Sequence, residues 1–360
     1  TGFCFVGEDF NRRYPPMIPD VIEPPDRKVL YAGVQGAYVS MRAGRVVVNR
    51  DTKELVSVPS GHVARIVSFG SVTLSPAVVS WALTSDVEVV LCSRRGGLLG
   101  TLSPAGVSAA ATRRRQFECS DRHDVAVTIG AALEGGKIHN QRVLLQRRLA
   151  PDTVDDLRES IAQLGSYLTM LSTAASREEV LGIEGIAART YFGALRALLP
   201  RGLDFNGRVT RPPGDVVNAA LGYGYAILVG ECATALAAAG LDPTIGLLHV
   251  DRGSRVSLAL DLVEEFRPVV VDSVVVAMAR GGELRVEHGR PVQAGKGVLL
   301  TDAGRISLVT ALERRLLTRV FHLASDRKVS YRRAIYMQAQ SLARVVAGTE
   351  DRYDPMLWRV

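Results

Sequence analysis

The hydrophobic pattern of this chain changes its period once, near residue 110, and that change constrains the fold more than any other feature of the sequence. Residues 28 to about 105 alternate β-branched and aromatic residues with polar ones, as in VLYAGVQGAYVSMRAGRVVVNR, where Ala43-Gly44 supplies a hairpin turn. After residue 110, apolar residues recur at i, i+3, i+4 and i+7 between proline and glycine breaks. The pattern predicts an α+β chain in which a small N-terminal β domain precedes a larger all-helical domain.

The same periodicities divide both domains into elements. Short strands are predicted in ELVSVP, HVARIVSFG and VEVVLCS, with a helix at SPAVVSWALTS before the last of them. A short hairpin or loop is predicted over 283–299, and helices near 112–134, 137–149, 153–172, 177–198, 214–239, 257–279 and 301–346. The β domain is therefore expected over 28–105, the helical domain over 106–346 and a tail over 347–360.

Several classes of protein are disfavoured by composition. Residues 1–27 carry five prolines, which predicts a linker or tail, and they lack the segments of a signal peptide. The most apolar run, residues 219–230, ends at Glu231 and is shorter than the about 20 residues of a bilayer crossing, so we expect a buried helix and no membrane association. No C-x-x-C pair occurs, which argues against a disulfide framework or zinc knuckle and favours the reduced cytoplasm for Cys4, Cys92, Cys119 and Cys232.

Positive charge is concentrated in one segment. The net charge of the chain is +7, and residues 314–344 alone hold eight cations against Asp326. A second basic stretch, KIHNQRVLLQRR at 137–148, interleaves cations with apolar residues on a predicted helix. Each stretch is compatible with a solvated face or with contacts to a phosphate backbone.

The stretch LLHVDRGSRVSLALDLVEEFRP, residues 247–268, combines a histidine with several carboxylates. A helix beginning at Ser257 would place Asp261, Glu264 and Glu265 on one face. A solvated acidic face with Arg267 as counter-charge and a metal site that includes His249 both remain open from this stretch alone.

Two upstream stretches bear on that choice. Glu184 lies in an uncharged run between Gly182 and Gly185, on a helix that Ser176 and Glu179 begin with a capping box, and the glycine pair suggests that another group approaches the backbone closely. Tight helix packing with Glu184 in solvent is the alternative.

In FNGRVTRPPGDVVNAALGYGYAIL, Asp215 is a predicted helix cap. Arg208 and Arg211 precede it on a loop where they are placed to bind an anion.

Five of these stretches together resemble a known family. LGIEGIAARTYF, RPPGDVVNAALGYGYAIL, LLHVDRGSRVSLALDLVEEFRPVVVD, KIHNQRVLLQRR and LLTDAGRISLVTALERRL are similar, in order and spacing, to the CRISPR adaptation integrase, the first-numbered of the CRISPR-associated proteins. The resemblance covers about residues 28–350. It implies an N-terminal β domain, a C-terminal helical catalytic domain and a homodimer. It also implies a partnership with the small second-numbered CRISPR-associated protein, with which such integrases insert short DNA duplexes into the CRISPR array.

The resemblance also implies a set of site residues. The metal ligands of the family fall on Glu184, His249 and Glu264, with Asp261 in a supporting catalytic role. Glu265 is then expected to be solvated or paired with an arginine. Tyr191 and Asn218 are weaker candidates for the site. DNA contacts are expected at a set of basic residues: Arg208, Arg211, Arg327, Lys328, Arg332 and Arg333.

The N-terminal segment carries a resemblance of its own. TGFCFVGEDF, PPMIPD and RKVLYAG are similar to a degenerate last turn of the CRISPR-associated iron-sulfur exonuclease, running into the integrase as in fusions of the two. Cys4 would align with the final cluster cysteine, but the other cluster ligands are not in this chain, so Cys4 alone is not expected to hold a cluster. A flexible leader is the alternative.

The expected chemistry follows from these ligand types. Two carboxylates and an imidazole suit Mg2+ or Mn2+, which would assist the transesterification of DNA by a 3'-hydroxyl and the corresponding hydrolysis. A non-catalytic DNA-binding subunit of an integration complex is the alternative. A small-molecule metalloenzyme is a third hypothesis, and it would give the arginine-rich segment no use.

Overall fold

The chain divides into two units, residues 1–106 and 107–360, in a computed structural model that describes residues 4–6, 28–85, 87–94, 98–102, 110–148, 155–210, 212–249, 256–292 and 297–359. The N-terminal unit contains β1 (Cys4–Val6), β2 (Lys28–Ala32), β3 (Tyr38–Arg42), β4 (Arg45–Arg50), β5 (Lys53–Pro59), β6 (Val63–Phe69), β7 (Thr73–Leu74), α1 (Pro76–Thr84), β8 (Glu88–Cys92) and β9 (Leu98–Leu102). The predicted β domain is thus confirmed, including its single helix.

Two sheets share the core of this unit. The strand orders are β1-β2-β6-β8-β9 and β5-β4-β3-β7, and the inner strands β2, β6 and β8 run parallel. The predicted hairpin turn joins β3 to β4, where Ala43 and Gly44 both have positive φ (47° and 71°), as a type I′ turn requires. Leu30, Val46 and Ile66 lie in the apolar core between these elements.

The N-terminal segment differs in part from the prediction of a linker. Cys4–Val6 forms a strand that pairs antiparallel with β2, so these residues belong to the five-stranded sheet. The high proline content that argued against a strand is confined to Pro15–Pro25. Residues 7–27, on which the rest of the linker or exonuclease-remnant prediction falls, lie outside the described residues.

The second unit is mostly helical, as predicted. It contains α2 (Ala110–Asp121), α3 (His123–Gln146), α4 (Asp155–Leu171), α5 (Arg177–Ala197), α6 (Val216–Ala238), α7 (Ser257–Phe266), α8 (Ser273–Arg280), β10 (Gly289–Pro291), β11 (Val298–Leu300), α9 (Asp302–Leu317), β12 (Arg319–His322), β13 (Arg327–Ser330) and α10 (Tyr331–Ala347). The predicted caps Ser176 and Asp215 accept hydrogen bonds from the backbone of Glu179 and Asn218.

Helix α6 is the apolar centre of this unit. It is long and apolar enough to cross a membrane, but 89% of its most apolar window is buried within the unit. The buried helix predicted from residues 219–230 is therefore confirmed.

Three predicted helix boundaries are wrong. The helix predicted near 112–134 is broken at Arg122, which separates α2 from α3. The glycines at 135 and 136 do not end a helix; they lie inside α3, where a Cβ on Gly136 would come within 2.7 Å of Pro355 and 3.2 Å of Glu265. The helix predicted over 301–346 is interrupted by the hairpin β12–β13, whose strands carry β-branched and aromatic residues and whose turn places Asp326 at φ 52°.

The residues after α10 are not a free tail. Tyr353, Met356 and Trp358 are buried in the helical unit. Asn140 on α3 holds the segment by accepting from the backbone nitrogen of Trp358 (2.7 Å) and donating to the carbonyl of Met356 (2.8 Å). The prediction of a tail over 347–360 is corrected accordingly, because apolar anchors are spaced too widely there for a periodicity to reveal them.

Candidate active site

Carboxylates from three helices converge on one ammonium group in the helical unit. The Nζ of Lys137 lies 2.6 Å from Glu184 Oε1 on α5, 2.7 Å from Glu264 Oε2 on α7 and 3.2 Å from Glu134 Oε2 on its own helix α3. We call Lys137, Glu134, Glu184 and Glu264 the carboxylate cluster. Two predicted ligands, distant in sequence, thus meet at one cation.

Burial makes the charges of this cluster strongly interdependent. The side chains of Glu134, Lys137 and Glu264 are at most 5% exposed, whereas Glu184 is 28% exposed and opens the cluster to solvent. Burial raises the pKa of Glu134 to about 8. Burial acts in the same direction on Glu264, but the charges of Arg267 and Lys137 outweigh it and lower the pKa of that carboxyl, which is therefore an anion.

The lysine stays charged despite its burial. Burial acts to lower the pKa of Lys137, and the charges of Glu134, Glu264 and Glu184 outweigh it, so the net shift is upward. Even so, the buried oxygens of Glu134 and Oε2 of Glu264 lack a hydrogen bond of good geometry among the described residues. Each carboxylate oxygen has two lone pairs, so an oxygen that faces Lys137 can still accept from a further donor or cation.

His249 is oriented by Asp261. The carboxylate of Asp261 accepts from the backbone nitrogens of Leu247, Leu248 and His249, and its Oδ1 lies 2.6 Å from His249 Nδ1. This bond raises the pKa of His249, and burial opposes it. With Nδ1 engaged by Asp261, the imidazole has Nε2 left for a ligand.

The turn before His249 requires a glycine. A Cβ on Gly246 would lie 2.3 Å from the carbonyl oxygen of His249 and 2.7 Å from Ser257 Cβ, so a side chain there would displace both the histidine and the start of α7. The backbone geometry that brings the three amides to Asp261 therefore depends on this residue.

A second polar network, which begins at Arg267, contacts Glu264 through its other carboxylate oxygen. Arg267 Nη1 lies 2.8 Å from Glu264 Oε1, and the guanidiniums of Arg267 and Arg208 lie 4.9 and 5.3 Å from the ring centroid of Tyr225. Tyr225 and Tyr191 both donate to Asp272, at 2.6 and 2.8 Å.

A π-helical segment, Arg267–Asp272, provides the first and last residues of this network: Arg267, which pairs with Glu264, and Asp272, which accepts from the two tyrosines. Its extra residue per turn changes which side chains face α5 and α6, a feature that often marks functional sites. Burial raises the pKa of Asp272 to about 6, although its two tyrosine donors act in the opposite direction.

Several sequence-based expectations are corrected here. Glu265 is neither solvated nor paired with an arginine; it is fully buried and accepts from Tyr353 Oη and the backbone nitrogen of Met356, both at 2.6 Å. Tyr191 points to Asp272 instead of Glu184. The expected close approach at Gly182 and Gly185 is wrong, since a Cβ at either would face open space.

The expected DNA-contacting residues lie in different environments. Arg327 and Lys328 on β13 and Arg333 on α10 are exposed. Arg208 is half-buried, which lowers its pKa, and it donates to Asn218 Oδ1 at 3.0 Å.

Arg332 and Arg211 differ from the other residues of that set. Arg332 forms bidentate pairs with Glu231 and Glu313, so its guanidinium is held inside the protein and, contrary to the prediction, is not available to a DNA phosphate. Arg211 lies outside the described residues.

Sequence reasoning missed Glu134 and the role of Lys137. A signal was present, because these are the only charged residues between Val125 and Ile138, a run too apolar for a solvated face. Tyr225 and Asp272 carried no such signal, since buried tyrosines and helix acids are common individually.

The carboxylate cluster and His249 offer oxygen and nitrogen donors of the types that divalent metals bind. Among the described residues, no three His, Cys, Asp or Glu side chains stand close enough to hold an ion as they are placed. The donor types nevertheless fit Mg2+ or Mn2+, because Glu184 and Glu264 reach within 2.7 Å of one cationic atom and Glu264 Oε2 lacks a well-formed hydrogen bond. Lys137 Nζ lies at the point where these carboxylates meet.

Fold and site together define a two-unit α+β protein whose helical unit carries a partly open cluster of carboxylates around a buried lysine, and an imidazole that Asp261 orients. The family model described as CRISPR associated protein Cas1 matches residues 30–314. The chain belongs to the Cas1 family, and the resemblance noted in its sequence is confirmed.

Curated relatives support this along nearly the whole chain. A protein named CRISPR-associated endonuclease Cas1 1 from Chlorobaculum tepidum is 32% identical over 337 residues, 92% of this chain and 98% of the relative. One with the same name from Thermus thermophilus is 36% identical, covering 90% and 98%. A Cas4/Cas1 fusion from Geobacter sulfurreducens is 32% identical over all of this chain and 66% of the fusion.

Solved structures agree in fold. A casposase bound to an integration product has a TM-score of 0.79 at 22% identity, covering 92% of this chain and 94% of that one. A Cas1 protein from Thermotoga maritima has a TM-score of 0.78 at 22% identity, covering 90% and 98%. At this identity the likeness shows the fold alone.

Proposed function

We propose that this chain is a CRISPR adaptation integrase that acts on DNA with Mg2+ or Mn2+ held by Glu184, His249 and Glu264. The carrying observation is the convergence of Glu184 and Glu264, from α5 and α7, on one cationic position. Membership of the Cas1 family and relatives named endonucleases support the choice of DNA as substrate.

Each surrounding residue has a part in preparing this centre. Asp261 holds His249 so that Nε2 is available as a donor, and Arg267 holds Glu264 in its ionised form. When bound, a divalent ion polarises a phosphodiester and favours ionisation of the attacking hydroxyl. Lys137 holds the carboxylates together against their mutual repulsion while no such ion is bound.

The proposed reaction is an in-line displacement at phosphorus. The 3'-oxygen of the incoming DNA forms a new phosphorus–oxygen bond as the bond to the 3'-oxygen of the repeat strand breaks, and the proton of the attacking hydroxyl ends on the leaving oxygen. Water in place of the 3'-hydroxyl gives the endonuclease reaction. Neither reaction requires a covalent bond to the protein.

The proposal includes partners. Arg327, Lys328 and Arg333, all exposed, are assigned to backbone phosphates of the DNA. A homodimer is proposed from the family resemblance alone. An association with Cas2 is proposed because a structural neighbour is a Cas6-RT-Cas1–Cas2 complex. Fusions named Cas4/Cas1 among the relatives point to the exonuclease as a further partner.

Strand transfer into a supercoiled plasmid carrying a leader and repeat tests the proposal, with Cas2 and with Mn2+, Mg2+ or chelator. We expect chelator, Glu184→Gln and His249→Ala each to reduce transfer by about 100- to 1,000-fold, as loss of electrostatic stabilisation at a transition state does. Glu178→Gln is the matched control, an exposed glutamate on the same helix. Activity that survives Glu184→Gln overturns the metal assignment.

The alternative is a non-catalytic DNA-binding subunit. The placement of Lys137 Nζ between Glu184 and Glu264 favours it, because an ammonium held there competes with a divalent ion. This alternative predicts DNA binding that is unchanged by Mn2+ and a wild-type protein without transfer activity.

A further inference from the structure

Glu134 is a buried acid for which the proposed reaction has no use. It lies on α3 with its side chain fully buried, and neither of its carboxylate oxygens makes a hydrogen bond of good geometry among the described residues. It forms an ion pair with Lys137, three residues further along the same helix, where Oε2 lies 3.2 Å from Nζ. A buried carboxylate is costly unless it is paired and hydrogen-bonded, so an acid kept here indicates a role beyond packing.

The ammonium group of Lys137 is not shared equally among its three carboxylates. Nζ lies 2.6 Å from Glu184 Oε1 and 2.7 Å from Glu264 Oε2, closer than to Glu134. The two nearer carboxylates are the proposed ligands of the divalent ion, and Glu134 is not one of them. An ion shared by those two oxygens and the ammonium group cannot both lie between them, because each needs the same oxygens as its nearest neighbours.

We propose that Glu134 is a positioning residue that receives the ammonium group of Lys137 when a divalent ion takes its place between the two ligand carboxylates, an inference that rests on the proposed function. Lysine carries its charge on a flexible four-carbon stem. Glu134 and Lys137 are neighbours at i and i+3 on one helix, where side chains meet on the same face. Nζ therefore passes to Glu134 by rotation of its own side chain, while α3 keeps its backbone.

The charges of the cluster favour two positions of the ammonium group. Without a divalent ion, Glu184 and Glu264 need a cation between them, since like charges at this distance repel. With the ion bound, the ion and the ammonium group repel each other. A carboxylate that contacts the lysine but is not a ligand of the ion offsets this repulsion, and Glu134 is placed to do so.

Two other roles for Glu134 predict different behaviour. If Glu134 were itself a ligand of the ion, its loss would weaken metal binding whether or not Lys137 is present. If it only balanced a buried charge, its loss would lower stability and leave metal binding unchanged. In the proposed role its effect on metal binding passes through Lys137, so the two residues are coupled in a double-mutant cycle.

Mn2+ binding to the full chain without DNA measures this coupling, by calorimetry and by electron paramagnetic resonance of the free ion. Glu134→Gln is expected to weaken binding about 10- to 100-fold in the wild type, as loss of a group that supports a metal site from outside its ligands does. The same change is expected to weaken binding less than about twofold in Lys137→Met, where no ammonium group has to be received.

Two further variants complete the cycle. Lys137→Met alone is expected to tighten Mn2+ binding about tenfold, because the ammonium group that competes for the ligands is gone. Asp124→Asn, which changes an exposed acid on α3, is the control and is expected to leave the affinity unchanged.

A second measurement does not depend on the folding of any variant. Crystals of the wild-type protein soaked in Mn2+, with the ion located by anomalous scattering, show the ion and Lys137 together. We expect the ion at Glu184 and Glu264, and Nζ hydrogen-bonded to Glu134.

The outcomes separate this inference from the function on which it rests. Three results overturn the role of Glu134 alone: a bound ion with Nζ still on Glu184, Mn2+ affinity unchanged by Glu134→Gln, or an equal loss of affinity in the wild type and in Lys137→Met. The absence of Mn2+ binding by both the wild type and Lys137→Met overturns the proposed metal site together with it.

Discussion

Two clusters in the helical unit each place several carboxylates around a single cation, Arg332 in one and Lys137 in the other. They differ in how many of the carboxylate oxygens the cation hydrogen-bonds. Arg332 makes bidentate pairs with Glu231 and Glu313, at 2.7 to 3.2 Å. Lys137 meets three carboxylates but forms a well-aligned hydrogen bond only with Glu184, and buried oxygens of Glu134 and Glu264 are left without one among the described residues.

The difference separates a structural ion pair from a candidate site. A planar guanidinium has five donors in a fixed fork that matches two carboxylates, whereas an ammonium is a compact point charge with three. The Arg332 cluster therefore has little left to offer a ligand. The Lys137 cluster retains coordinating capacity, and the partly exposed Glu184 gives it a route to solvent.

The largest expected loss of stability follows from removing Arg332, the cation that satisfies both of its carboxylates. Arg332→Ala removes four charge-assisted hydrogen bonds from two buried carboxylates, Glu231 and Glu313, and we expect the free energy of unfolding to fall by about 3–5 kcal/mol. Urea unfolding followed by circular dichroism measures it. The exposed neighbour Arg333→Ala is the control, and a loss below about 1 kcal/mol for Arg332→Ala would contradict the comparison.

A smaller effect is expected when the unsaturated cluster loses its cation. Lys137→Met should destabilise the protein by about 1–3 kcal/mol in chelator, because Glu134 can take up a proton and Glu184 can turn to solvent. Mn2+ should restore this stability, by about 2.7 kcal/mol at one hundred times its dissociation constant.

Thermal unfolding with and without Mn2+ measures this rescue. We expect Mn2+ to stabilise Lys137→Met more than the wild type, whose ammonium competes for the carboxylates, and to leave the deficit of Arg332→Ala unchanged. The absence of any Mn2+ effect on Lys137→Met would count against a metal site in the carboxylate cluster.

The Asp272 network predicts a pH effect of intermediate size. The pKa of the Asp272 carboxyl, about 6 in the folded protein, lies above its ordinary value of 3.8, so the folded state binds the proton more tightly than the unfolded state does. Its contribution to stability is present below pH 4 and is lost as pH rises through 6. Asp272→Asn should remove up to about 1.4 kcal/mol of that decline per pH unit, measured by urea unfolding from pH 4 to 7. An unchanged slope would refute the assignment, with Asp156→Asn, an exposed acid on α4, as control.

The smallest effect is expected at the surface. Arg333→Ala should change the free energy of unfolding by less than about 0.5 kcal/mol while reducing the salt dependence of DNA binding by about one unit of slope. Anisotropy titrations at several salt concentrations measure the slope. A large loss of stability on Arg333→Ala would show that Arg333, like Arg332, has a structural role.

Patterns that repeat along the chain predicted the fold well. Period-two alternation located most strands of the N-terminal sheets, and the i, i+3, i+4 pattern located the helices. Errors came where a tertiary contact overrides a local rule. Gly136 remains inside α3 because Pro355 and Glu265 pack against it, and the hairpin after α9 interrupts a helical pattern that its own β-branched residues contradict.

The site was predictable only in part. Glu184, His249 and Glu264 were predicted as ligands through a family resemblance, and the structure brings two of them, Glu184 and Glu264, to the same ammonium group. Glu265 was misplaced because α7 is buried on several faces, so adjacent acids on one helix meet different partners: Glu264 meets Lys137, and Glu265 meets the C-terminal segment.

The sequence by itself determined the two-unit architecture, the family and the residue types that can act on phosphate esters, because periodicity and motif order are properties of the chain read in one dimension. Only the tertiary structure decided that Lys137 lies among the carboxylates, that Arg332 is withdrawn from the surface and that residues 353–358 support α7. The physical reason is that the strength of a charge depends on its burial and its partners, and in this protein those partners come from helices that are distant along the chain.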